Sequence, residues 1–132
     1  MEQRELRQKL ASFQIVLRRL EEGVRREDKD TLVIDGVIQR FEFTFELAWK
    51  LMKLFIEEEG TSGVCLSPKT TVKQAFKREI IVDGEAWIKM IQDRNLTSHM
   101  YDESMARRMY LSIENEYIVL LRELNKFMEQ NI

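Results

Sequence analysis

The chain has 132 residues, 44% of them hydrophobic and 33% charged, and a formal net charge of −2. That length fits one domain, residues 1–132, large enough to bury a core without disulfides or structural metals. The charge argues against nucleic-acid binding by bulk electrostatics while allowing a local basic patch; the lone Cys65 excludes an internal disulfide, and one Cys with one His cannot build a structural zinc site.

A single proline and five glycines among many Glu, Lys, Arg, Leu and Met point to an all-α protein. No apolar run reaches the roughly 20 residues of a membrane span. The opening "MEQRELRQKL" is too polar for a signal peptide, so a cytoplasmic location is expected.

In chain order, residues 4 to about 27 form a first predicted helix. Leu6, Leu10, Phe13, Val16 or Leu17, Leu20 and Val24 recur at spacings of three and four, and "REDKD" ends it. A second helix runs from Thr31 or Leu32 to Glu59, with Ile34, Ile38, Phe41, Phe45, Ala48, Met52 and Phe55 on its apolar face. Asp35, Gln39, Glu42, Glu46, Lys50, Lys53 and Glu57 make the opposite stripe, in which Glu46–Lys50 and Lys53–Glu57 are favourable pairs. Phe43, Leu47, Trp49, Leu54 and Ile56 widen the apolar surface, as expected of a rod buried on two sides. Gly60 suits the position just past its C-terminus, and "GTSGVCL" reads as a loop.

Ser67-Pro68 opens a short third helix, to about Glu79, with Val72, Ala75 and Phe76 facing inward. Asp83 caps a fourth, with Val82 expected to staple against Trp87 and with Ile88 and Ile91 on its buried side. Its pattern fades in "NLTSH". Asp102 caps a last helix to about Glu129, carrying Met105, Met109, Ile113, Tyr117, Leu120 or Leu121, Leu124 and Phe127. The expected architecture is an antiparallel four-helix bundle with an additional short helix.

The break between the last two helices holds the only histidine, in "DRNLTSHMYDE" (Asp93–Glu103). On a continuous helix Arg94 and His99 project about 140° apart and do not converge. Fraying after Arg94, or two copies meeting across a dimer axis, would bring them together. Past the helix end His99 and Tyr101, two apart in extended chain, face one side. Asp93 and Asp102 are candidates to orient the imidazole or the guanidinium. Histidine moves protons near neutral pH and arginine forks onto phosphate oxygens, so the pair suits metal-free cleavage of an RNA phosphodiester. A lone histidine near a helix end is, however, most often a surface or capping residue, and the pair alone is a weak motif. Tyr110 and Tyr117 are spaced as core residues.

Arg94-Asn95-Leu96-Thr97-Ser98-His99-Met100-Tyr101 matches the R-x4-H-x-Y signature of HepT-type toxins in the HEPN superfamily. "RFEFTFELAWKLMK" (Arg40–Lys53), "SPKTTVKQAFK" (Ser67–Lys77) and "DGEAWIKMIQDRNLTSHMYDE" (Asp83–Glu103) resemble the nucleotidyltransferase substrate-binding proteins. The resemblance implies a HEPN-like four-helix-bundle core and a homodimer that brings two motifs together. It also implies metal-independent endoribonuclease activity with Arg94 and His99 catalytic. Asn95, Thr97 and Ser98 belong to this subgroup's version of the spacer, and Asn95 and Ser98 are supporting candidates. A minimal nucleotidyltransferase antitoxin is the implied partner, moving AMP from ATP to Tyr101 and silencing the toxin; the chain itself is expected to carry no cofactor or metal. The alternative is a non-catalytic substrate-binding or adaptor subunit of that nucleotidyltransferase. The acidic balance leans towards the adaptor, and the intact Arg94/His99/Tyr101 set towards the enzyme.

Overall fold

Apolar residues at helical spacing dictate the layout, and a computed structural model describes it for residues 2–60 and 63–132, with only the backbone of Glu2. Among these residues there is no strand. Helix α1 spans Glu2–Arg25 and α2 spans Thr31–Glu58, the latter capped by Asp30, whose side chain accepts from the Val33 amide at 2.9 Å. Leu6, Leu10, Phe13, Leu17 and Leu20 are buried on α1; of the Val16/Leu17 alternatives, Leu17 enters the core and Val16 is half-buried.

Helix α2 is the central rod. Val37, Thr44, Leu51 and Ile56 are buried along with the expected Ile34, Ile38, Phe41, Phe45, Ala48 and Met52. Phe55 packs edge-on against Phe127 at 5.6 Å, whereas Phe43 stays largely exposed. Gly60 takes φ +93° just beyond the helix, a conformation that glycine adopts without the clash a β-carbon brings. Of the "GTSGVCL" loop, Thr61 and Ser62 lie outside the described residues.

Helix α3, Pro68–Lys77, begins at a reciprocal capping box: Ser67 Oγ accepts from the Thr70 amide, and Thr70 Oγ1 accepts from the Ser67 amide. Val72 and Ala75 are buried, but Phe76 is 52% exposed, not inward-facing as expected. Ile80 and Ile81, just past the helix, take the core position instead. Helix α4, Gly84–Leu96, is capped by Asp83 as expected. The expected Val82–Trp87 staple does not form, because Val82 is 88% exposed while Trp87 is buried. The caps of α2 and α3 are extended, with ψ of 170° and 165°, whereas Asp83 has ψ 84° and turns the preceding residue towards solvent.

A 3-10 turn, Thr97–His99, follows α4, so the regular helix runs on past Arg94 and tightens three residues later than a fray at Arg94 requires. Helix α5, Glu103–Ser112, starts at Asp102 and passes through a π-helical segment, Ile113–Tyr117, into α6, Ile118–Asn131. The wider turn faces Ile113 and Tyr117 into the core, where the Tyr117 ring stacks on Phe41 at 5.6 Å.

Cross-helix pairs establish the antiparallel order of α1 against α2 and α6, and tie α4 to the π-helical segment. Thr44 of α2 lies at the carbonyl of Val16, and Arg40 at that of Arg19, in α1. Gln14 and Glu21 of α1 meet Asn125 and Arg122 of α6. Lys89 and Asp93 of α4 reach Glu116 and Tyr117. Helices α1, α2, α4 and α5–α6 make the four-helix bundle, with short α3 laid against α2 and α4. Among the described residues, no helix is long and apolar enough to cross a membrane.

Candidate functional site

The antiparallel packing of α4 on α2 decides where Arg94 goes. Its side chain, 25% exposed, turns towards the polar stripe of α2: Nη1 lies 3.4 Å from Glu42 Oε2, and Nη2 lies 3.8 Å from Glu46 Oε1. Nη1 also donates to Thr97 Oγ1 at 3.3 Å. The Thr97 hydroxyl has two acceptors in reach, Glu42 Oε2 at 2.8 Å and the Arg94 carbonyl at 2.7 Å. Glu46 is shared with Trp49 Nε1 at 3.3 Å and with Lys50 Nζ at 3.9 Å. The Nε of Arg94 is buried without a partner among the described residues.

His99 sits at the end of the 3-10 turn and is exposed. Winding of about 100° per residue to Thr97 and about 120° beyond it puts His99 roughly 180° from Arg94. Tightening the helix therefore separates the pair. Among the described residues no hydrogen bond or ion pair joins Arg94 to His99. The chain then becomes extended, and the rings of His99 and Tyr101 meet edge to face with centroids 6.3 Å apart. Tyr101 is 87% exposed.

The two aspartates expected to orient the imidazole or the guanidinium take other partners. Asp93 accepts a hydrogen bond from the Tyr117 hydroxyl, and Asp102 accepts from the Ser104 amide at 2.8 Å, as the cap of α5. Asn95 and Ser98 are exposed. Burial first, and then the Asp93 carboxylate, push the Tyr117 phenol above its ordinary value. Burial does the same to Tyr110, which donates to Glu114 at 3.0 Å under the Lys29 ammonium. Among the described residues, no three His, Cys, Asp or Glu side chains cluster so as to hold a metal ion.

The residues that sequence reasoning missed are Glu42 and Glu46, read only as part of the stripe opposite the apolar face, and Thr97, placed in the spacer without a role. One signal was available: two carboxylates stand one turn apart on a helix wide enough in its apolar surface to be enclosed, with Lys50 placed to pair only Glu46. Two small clefts, of about 180 and 190 Å³, flank Met100 at the junction. Tyr101, Asp35 and Arg107 line one; Asp93, Leu96 and Arg108 line the other.

Comparison with known proteins places this geometry in a wider set. A Haemophilus influenzae protein named "Probable ribonuclease HepT" is 32% identical over 104 residues, covering 74% of this chain and 70% of that protein. A Thermus thermophilus crystal structure superposes with a TM-score of 0.79 at 31% identity, covering 88% of this chain and 98% of that one. A structure from H. influenzae, described as revealing the fold of a substrate binding domain of a nucleotidyltransferase, gives a TM-score of 0.81 at 25% identity over 92% and 99%. One family model matches residues 8–130, which take in most of the bundle and the whole junction motif, and on that match the chain belongs to the family described as nucleotidyltransferase substrate binding protein like.

Proposed function

We propose that the chain is a metal-independent endoribonuclease toxin, silenced when a minimal nucleotidyltransferase transfers AMP to Tyr101. In this reading His99 accepts the proton of an RNA 2′-hydroxyl, and the freed oxygen attacks the adjacent phosphorus to form a 2′,3′-cyclic phosphate. The 5′-oxygen leaves as an alcohol with a proton from water, the imidazolium then returning its proton to solvent. Arg94 carries the charge that builds on the phosphoryl oxygens. Because the two groups project to opposite sides of one chain, the reading calls for a homodimer in which two copies of the junction meet.

The observation that carries the proposal is the contrast among the three tyrosines. Tyr110 and Tyr117 are buried and their hydroxyls are engaged, whereas Tyr101 is 87% exposed with its ring against His99. Its phenolic oxygen is open to attack the α-phosphorus of ATP held by a partner, with pyrophosphate leaving. The anionic adduct then stands beside the imidazole, blocking it and repelling RNA phosphate.

The alternative, a non-catalytic binding subunit, is favoured by one observation: Glu42 and Glu46 already compensate the charge of Arg94. The two separate in a cleavage assay on purified RNA with excess chelator. The nuclease cuts and its His99→Ala variant does not; equal cleavage by both, or none by the parent, rules in favour of the adaptor.

A further inference from the structure

The segment Ser67–Lys77 is prominent in the sequence but has no part in the proposed reaction. It forms one wall of a groove of about 900 Å³ between α3 and α4. From Pro68 to Arg78 the chain carries Lys69, Lys73, Lys77 and Arg78 and no acidic residue, although its net charge is −2. Arg78 is engaged by Glu59 at 3.3 Å. The three lysines are exposed and have no ion pair among the described residues. At i, i+4 and i+8 they form one stripe, with about 6 Å between neighbours.

Phe76 lies between the last two lysines. Its ring rests over Gly84 at the start of α4, where a β-carbon would meet it at 3.1 Å. Val72 and Ile88 complete the apolar lining, and Val82 stands on the rim. The nearby acids do not cancel the stripe. Asp83 accepts from the Ala86 amide at 3.0 Å, and Lys89 is matched by Glu116 at 3.1 Å. Asp83 at the cap, Glu85 on the opposite wall and Glu79 just past α3 are the acids near the three lysines, and none of them makes an ion pair with a lysine of the stripe among the described residues.

Ammonium groups at regular spacing beside an exposed aromatic ring suit a ligand with repeated anionic groups and flat apolar faces. Single-stranded RNA has both: phosphates meet lysines and bases stack on aromatic rings. The groove also continues along α4 through Ile88 and Gln92 towards the junction, and Ile88 to His99 is about 18 Å at helical rise, a distance that a few nucleotides cover.

We infer that the α3–α4 groove is an RNA exosite that holds the single-stranded flank of the substrate, with Lys69, Lys73 and Lys77 on phosphates and Phe76 under a base. Its purpose rests on the proposed nuclease reading, but its measurement does not. The test is binding of a labelled single-stranded RNA of about 12 nucleotides to the His99→Ala chain, which leaves the RNA intact. Adding Lys73→Gln with Lys77→Gln should weaken binding about tenfold and make the slope of log affinity against log salt shallower by about one. Phe76→Ala should weaken it by a similar factor, and Phe76→Trp should restore it. Thermal melts matching the parent show that the exposed substitutions leave the fold intact.

Equal binding by parent and variants, or no RNA binding by the parent, overturns the exosite. So does a Phe76→Asp variant that turns a dimer into a monomer, since the groove is then the seat of a second copy. A parent that binds through the groove but never cleaves supports the exosite and removes the nuclease reading.

Discussion

The last turn of α4 and the stretch from His99 to Tyr101 differ in what their polar groups touch. In the turn, Asp93 is taken up by Tyr117, and Arg94 is held by Glu42, Glu46 and Thr97. Beyond it, His99 and Tyr101 are exposed and their rings meet edge to face. One motif thus has an arginine fixed by the bundle and a histidine left available. A group held by its own chain is costly to remove for stability, whereas a group facing solvent is costly only for chemistry.

The largest expected effect breaks the comparison on its exposed side. His99→Ala should lower RNA cleavage by about 10²–10⁴-fold, the usual share of a general acid or base, with no change in thermal midpoint. Arg94→Ala should lose cleavage as well, but at a stability cost of about 1 kcal/mol, because Glu42 then loses its cation and Glu46 keeps only Lys50. Paired activity assays and melts distinguish the two. A His99→Ala melt that drops as far as that of Arg94→Ala would show that the histidine is structural too.

The next effect sharpens the inner side. Tyr117→Phe leaves Asp93 without its hydroxyl donor and should cost about 1–2 kcal/mol in chemical denaturation, with helicity retained. The same pair gives a pH signature. Unfolded chains release a tyrosine proton near pH 10, whereas the folded chain holds that of Tyr117 to higher pH. The stability from this group is complete below pH 10 and falls above it, by about 1.4 kcal/mol per pH unit. Tyr110 adds a contribution of the same sign, so Tyr117→Phe should flatten the alkaline slope without abolishing it. An unchanged slope would mean that Tyr117 titrates normally.

Much of this inner framework is legible from residue types. The helices follow from apolar spacing, and Ser67-Pro68, Asp83 and Asp102 mark their starts, because a side chain that serves as a cap acts on amides two or three residues away. The π-helical segment is not legible: a change of hydrogen-bond register leaves no signature in "IENEY", and it shows only in the backbone, where the Ile118 amide donates to the Ile113 carbonyl five residues back. Glu42 and Glu46 look like solvated charges until α4 is laid across them. Phe76 and Val82 mislead for the opposite reason, since nothing in an apolar side chain records that it ends on an exposed face. The closeness of His99 to Tyr101 was readable, because past a helix end alternate residues share a side.

The smallest effect tests the outermost residue. Tyr101→Phe removes a hydroxyl that faces solvent, so folding stability should change by less than about 0.5 kcal/mol. RNA cleavage should also persist, since the proposed proton transfer belongs to His99. What should vanish is silencing: incubated with the cognate nucleotidyltransferase and ATP, the parent gains mass on the peptide containing Tyr101 and stops cutting, while the variant gains none and continues. Adduct mapped to Tyr110 or Tyr117 would require the core to open, because both hydroxyls are already hydrogen-bonded inside the bundle. A change too small to register in a melt thus decides whether the exposed side of the junction is a switch.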